Sequence, residues 1–63
     1  MTVEELYRVI EDNSMVHITQ DGNTYFMGLS NNIPMSLLDA SIDRIFPSMN
    51  NNDEFQIRII LRS

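Results

Sequence analysis

His17 is the only histidine in the chain and cysteine is absent. One imidazole is therefore the only side chain that titrates unaided near neutral pH, and no thiolate can hold a metal. A nucleophilic triad needs that imidazole beside an activated hydroxyl and an orienting acid. Serines and aspartates are plentiful, yet no Gly-x-Ser-x-Gly elbow, Gly-rich phosphate loop or His-x-x-x-His pair accompanies them. Asp21-Gly22-Asn23 and Asn50-Asn51-Asn52-Asp53 gather oxygen ligands, but neither continues into the ligand series of an EF-hand with its bidentate Glu. Asn and Asp also accept unusual backbone angles, so both runs are expected to be turns. No catalytic residue, metal or cofactor is expected, and His17 is expected to be a strand residue.

The remaining chemistry is that of binding. Nine acidic residues face four arginines, for a net charge of −5. A surface of that sign repels nucleic-acid phosphates and anionic lipids, so direct nucleic-acid or membrane contact is not expected. The carboxylates of Glu4, Glu5, Glu11, Asp12, Asp39, Asp43, Asp53 and Glu54 either keep the chain soluble or engage a basic groove on a partner. For Glu4 and Glu5, stabilisation of a helix start is reason enough. Arg8, Arg44, Arg58 and Arg62 are the groups a phosphate-bearing ligand would use. Five methionines in 63 residues is a high count, and flexible thioethers suit irregular cores and adaptable interfaces alike. Met15 shares a strand face with His17; together with Tyr25 or Met27 it makes an apolar patch if that face is open.

These groups have to be positioned by short elements. Thr2 followed by Glu5 matches a capping box, which predicts a helix over 3–11 with Val3, Leu6, Val9 and Ile10 inward and Asp12-Asn13-Ser14 as its stop. Residues 15–19 alternate, with Val16 and Ile18 opposite Met15, His17 and Thr19, and so predict a strand. Asp21-Gly22 is a tight-turn dipeptide leading into a second strand at 24–27. Gly28 is expected to mark a strand end, with a bulge or a close approach as the rival. Ser30-Asn31-Asn32 predicts a loop, and Pro34 opens a helical turn. Residues 34–46 are ambiguous: Met35, Leu38, Ile42 and Ile45 fit a continuous helix, which apolar spacing alone favours, whereas a turn ending near Asp39 leaves 41–46 as a strand, with a turn over 48–53. The last strand is clear, since Phe55, Ile57, Ile59 and Leu61 alternate with Gln56, Arg58, Ile60 and Arg62. Ile60 interrupts the polar face and calls for cover by a loop or a second subunit.

The expected fold is α+β, one compact domain over 1–63 with the N-terminal helix on a small antiparallel sheet. The order is α-β-β-short α-β-β or α-β-β-α-β, and apolar spacing alone favours the second. A chain this short buries only about 60% of the surface its unfolded form exposes, so a homodimer is expected to supplement the core. Apolar runs such as Ile59-Ile60-Leu61 fall far short of the about 20 residues of a membrane span, and no signal-like segment opens the chain, so a cytoplasmic location is expected.

The capped helix, the hairpin, Ile33-Pro34-x-x-Leu37-Leu38-Asp39, Ile42-x-x-Ile45 and the terminal alternating strand form a pattern that covers nearly the whole chain. It resembles small proteins encoded by bacteriophages and mobile elements of Gram-positive bacteria. In such proteins the stretch matching 41–46 often reads as a strand, and the resemblance therefore favours two hairpins here. An acidic, thin-cored chain without a catalytic constellation is expected to be a non-enzymatic module that binds a larger host or phage protein, and the resemblance implies inhibition of a bacterial defence system, anti-CRISPR fashion, as its pointed form. Two further functions compete: a dimer that sequesters a nucleotide, and a phage structural or assembly component.

Overall fold

In the computed structural model, which describes residues 1–10 and 13–63, the chain begins with the expected capping box. Glu5 N–H donates to Thr2 Oγ1 at 3.3 Å, and Thr2 N–H donates to Glu5 Oε1 at 2.8 Å. The helix α1 (Val3–Tyr7) is shorter than the expected 3–11. Arg8 caps it, Val9 is 77% exposed rather than inward, and the expected end at Glu11 with the Asp12 stop lies outside the described residues. Five residues cannot sustain a helix by propensity. Tertiary hydrogen bonds hold it, with Val3 N–H on the Ala40 carbonyl and Glu4 N–H on the Leu38 carbonyl, both at 3.0 Å.

Next comes a hairpin of β1 (Met15–Gln20) and β2 (Asn23–Leu29). Its two-residue turn places Asp21 at φ 52° and Gly22 at φ 84°, the left-handed pair that matches strand twist. The register shifts between Ile18 and Thr19, leaving Tyr25 without a partner on β1; the bulge thus falls at Tyr25 and not at Gly28. Gly28 serves a close approach, since a Cβ there would lie 3.3 Å from Phe26 Cζ. Two 3-10 turns follow, Ser30–Asn32 and Met35–Leu37, the second inside the expected helical turn. β3 (Ile42–Met49) and β4 (Phe55–Leu61) complete the chain. The continuous helix over 34–46 does not form: Ile42 and Ile45 pair with Leu61 and Ile59, and Ile42 N–H donates to the Met1 carbonyl at 2.8 Å.

The sheet order is β2-β1-β4-β3. Both hairpins are antiparallel, but the central pair, β1 with β4, is parallel, so the sheet is mixed and not wholly antiparallel as expected. The pairing directions dictate the path between hairpins. β2 and β3 run the same way on opposite edges, so residues 30–41 must return along the full strand length before β3 can begin. That return crosses the face that carries Val16, Ile18, Ile59 and Leu61, and with α1 it forms the second layer. Ile33, Leu37, Leu38 and Ala40 from the crossing pack on the buried Val3, Leu6, Val16, Ile18, Ile42, Ile59 and Leu61. No helix among the described residues is long and apolar enough to cross a membrane.

Candidate functional site

Alternation along β4 splits its side chains between two faces, and neither face behaves as a simple inside or outside. On the core face burial is graded: Leu61 and Ile59 are 4% and 0% exposed, Ile57 is half-buried, and Phe55 is 61% exposed. Its partner strand shows the same gradient, from Ile42 at 8% through Ile45 at 40% to Met49 at 58%. The layer made by α1 and the crossing stops partway down the β3–β4 hairpin. Below that point an apolar strip of Ile45, Pro47, Met49 and Phe55 is open, and Phe46 on the opposite face is 39% exposed.

Side-chain hydrogen bonds of Asn50 organise the hairpin tip. Asn50 Oδ1 accepts from Asn52 N–H at 2.8 Å and Glu54 N–H at 2.9 Å, its Nδ2 donates to Glu54 Oε1 at 3.3 Å, and Asp53 takes φ 59°. The Asn50–Asp53 run is therefore the turn its composition implied. Asp53 and Glu54 border the exposed Phe55.

No layer among the described residues covers the opposite sheet face. Register places Met27, His17, Arg58 and Phe46 in one row across all four strands, with Thr19, Ile60 and Arg44 in the next. Met15, His17, Met27 and Ile60 thus share this face, and Tyr25 projects from the bulge at 49% exposure. His17 Nε2 lies 3.0 Å from Thr24 Oγ1. Burial first, then the Arg58 guanidinium, holds the His17 ring below the ordinary histidine range, so it is neutral at pH 7.

Two clefts flank Arg58. The larger, about 360 Å³, carries Asp21 and Asp43 against Arg58 and Arg62 and is close to charge-balanced. The smaller, about 250 Å³, runs from His17 and Met27 to Ser48, Met49 and the Asn50-Asn51 turn, and among the described residues Arg58 is its only charged side chain. Gln56 also lines it although only 5% exposed, and its Oε1 has no hydrogen-bond partner. Arg58 Nε is enclosed and unpartnered as well. Each such atom costs about 1–3 kcal/mol against a paired one. Arg58 forms no ion pair among the described residues, unlike Arg8 with Glu4 at 3.8 Å and Arg44 with Asp43 at 3.9 Å.

The acidic candidates do not gather into one patch. Glu4 and Glu5 sit at the start of α1, where the Thr2 N–H and then its hydroxyl hold the Glu5 carboxyl below its usual range. Asp39 follows the second 3-10 turn, Asp43 begins β3, and Asp53 and Glu54 occupy the hairpin tip, while Glu11 and Asp12 lie outside the described residues. Ile45, Phe46, Phe55 and Gln56 were not singled out by sequence. Strand alternation placed them on faces, but whether a face is covered depends on where the crossing runs. No group of three or more His, Asp or Glu that could hold a metal occurs among the described residues. No protein-family model, curated protein or solved structure matches the chain.

Proposed function

We propose that the chain is a non-enzymatic protein-binding module, acting in a host cytoplasm as an inhibitor of a larger host protein, in the manner of phage-borne inhibitors of bacterial defence. The observation that carries this reading is the uncovered apolar strip of the β3–β4 hairpin: Ile45, Met49 and Phe55 lie at 40–61% exposure on strands whose other ends are fully packed. A thin domain that leaves large apolar side chains open on a paired hairpin presents an interface. Asp53 and Glu54 supply an acidic rim, complementary to the basic grooves of nucleic-acid-handling proteins.

Capture of purified defence nucleases by the 63-residue protein tests this at low and moderate salt. Phe55→Ser is expected to weaken capture at both salts, and Asp53→Asn with Glu54→Gln mainly at low salt, because screened rim charges contribute little. No capture at low salt by the unaltered protein overturns the inhibitor reading.

A further inference from the structure

We infer that the smaller cleft beside Arg58 is a binding site for the end of a polypeptide chain. Arg58 takes the terminal carboxylate, and the Gln56 side-chain carbonyl takes the last amide N–H. Three observations converge on that ligand. Among the described residues Arg58 is the only charged side chain on the cleft wall and forms no ion pair, so an anion meets a free guanidinium fork in a protein of net charge −5. Gln56, 5% exposed, holds an acceptor with no donor. A phosphodiester or fully ionised phosphate brings acceptors only and leaves Gln56 unpaired, whereas a carboxylate with an adjacent amide N–H answers both groups. Met27 stands on the same wall and adapts to an apolar terminal side chain, and Met49 borders the cleft at its hairpin end.

Gln56 Oε1 and Arg58 Nε are both enclosed in the free protein. The ligand therefore meets them as the two side chains turn into the cleft, and two unpaired groups become paired. The cleft extends from Met27 to Ser48 and the Asn50-Asn51 turn, which favours a chain end over a free metabolite. His17 reports on occupancy. The charged group facing it is Arg58 on β4; Thr24 and Met27 on β2 and Met15 and Thr19 on β1 are uncharged. A bound carboxylate offsets Arg58 and raises the His17 pKa.

The test is an NMR titration of the full chain, with ¹⁵N shifts at Arg58 Nε and the Gln56 amide. The probes are N-acetyl-leucine, its C-terminal amide, a pentapeptide ending in leucine, and dimethyl phosphate, which carries acceptors only. Both side chains are expected to shift with the two carboxylates, the His17 titration to move upward, and the amidated probe to bind about tenfold or more weakly. Arg58→Gln is expected to lose the same factor while keeping the unaltered far-UV spectrum, and Arg62→Gln, outside this cleft, to bind as the unaltered protein does. If Arg58→Gln does not fold, the amidated probe carries the comparison alone. Equal binding of dimethyl phosphate, or of the amidated probe, overturns the site. A pentapeptide no tighter than N-acetyl-leucine overturns the chain-end assignment in favour of a free acyl amino acid. The probes are defined molecules, so failure here leaves the hairpin reading standing, and a Phe55→Ser protein that loses partner capture still binds them.

Discussion

At the scale of single residues, His17 and Glu5 set how stability responds to pH. The folded-state His17 pKa lies below its ordinary 6.5, so its contribution is fully present above that pH and is lost as pH falls through the folded value. The urea midpoint is expected to drop between pH 7.5 and 5.5, and His17→Gln to flatten that window. Glu5, lowered from 4.5, acts with the same sign further down: its contribution is present above that pH and lost on stronger acidification, so the acid-side decline survives in the His17 variant. Thr2→Ala removes the acceptor for Glu5 N–H and is expected to cost about 1 kcal/mol. For a domain of this size that lowers Tm by about 4–8 °C in a thermal melt.

At the scale of elements, β4 carries opposite outcomes on one face. Ile59 is fully buried, so Ile59→Ala should cost about 2–5 kcal/mol by chemical denaturation. Phe55, four residues earlier and 61% exposed, should tolerate Ser within about 0.5 kcal/mol, so lost binding there is not lost folding. The second hairpin depends on the Asn50 side chain. Asn50→Ala removes the acceptor of two backbone N–H groups, which should cost roughly 1–2 kcal/mol and speed hydrogen exchange at the Phe55 end of β4. The first hairpin was legible in the chain as Asp21-Gly22 and an alternating strand. α1 was legible at its start, where Thr2 and Glu5 lie within a turn of each other. Its end was not, because only docking on residues 38–40 sustains five helical residues.

At the scale of the molecule, total stability for 63 residues is of order 3–9 kcal/mol, so one core truncation removes a large share of it. Such a domain gains from any further apolar burial, and open apolar groups lie on both sheet faces: Phe55 and Met49 on one, Met27 and Phe46 beside half-buried Ile60 on the other. Self-association follows as a proposal, and sedimentation at micromolar concentration checks it. A concentration-dependent dimer is expected, weakened by Ile60→Asp if the Arg58 face is used and by Phe55→Ser if the hairpin is. A stable monomer contradicts it. Edge pairing through β3 is the less favoured route, since Pro47 lacks an N–H to offer.

The amino-acid sequence by itself determined the local features: the Thr2–Glu5 cap, the Asp21-Gly22 turn, the alternating faces of β1 and β4, and the Asn50–Asp53 turn. Each depends on residues a few positions apart, whose spacing the chain states directly. For residues 34–46 local apolar spacing favoured one continuous helix, and pairing with β4 decided instead for a strand over Ile42–Met49. Tertiary structure alone decided the parallel union of β1 and β4, the path of the crossing, and hence where the core layer stops. The physical reason is that strand order and cover depend on contacts between distant segments. Phe55 and Ile59 share one apolar period, yet one is open and the other sealed; Gln56 and Arg58 share one polar period, yet each ends with an enclosed, unpaired atom.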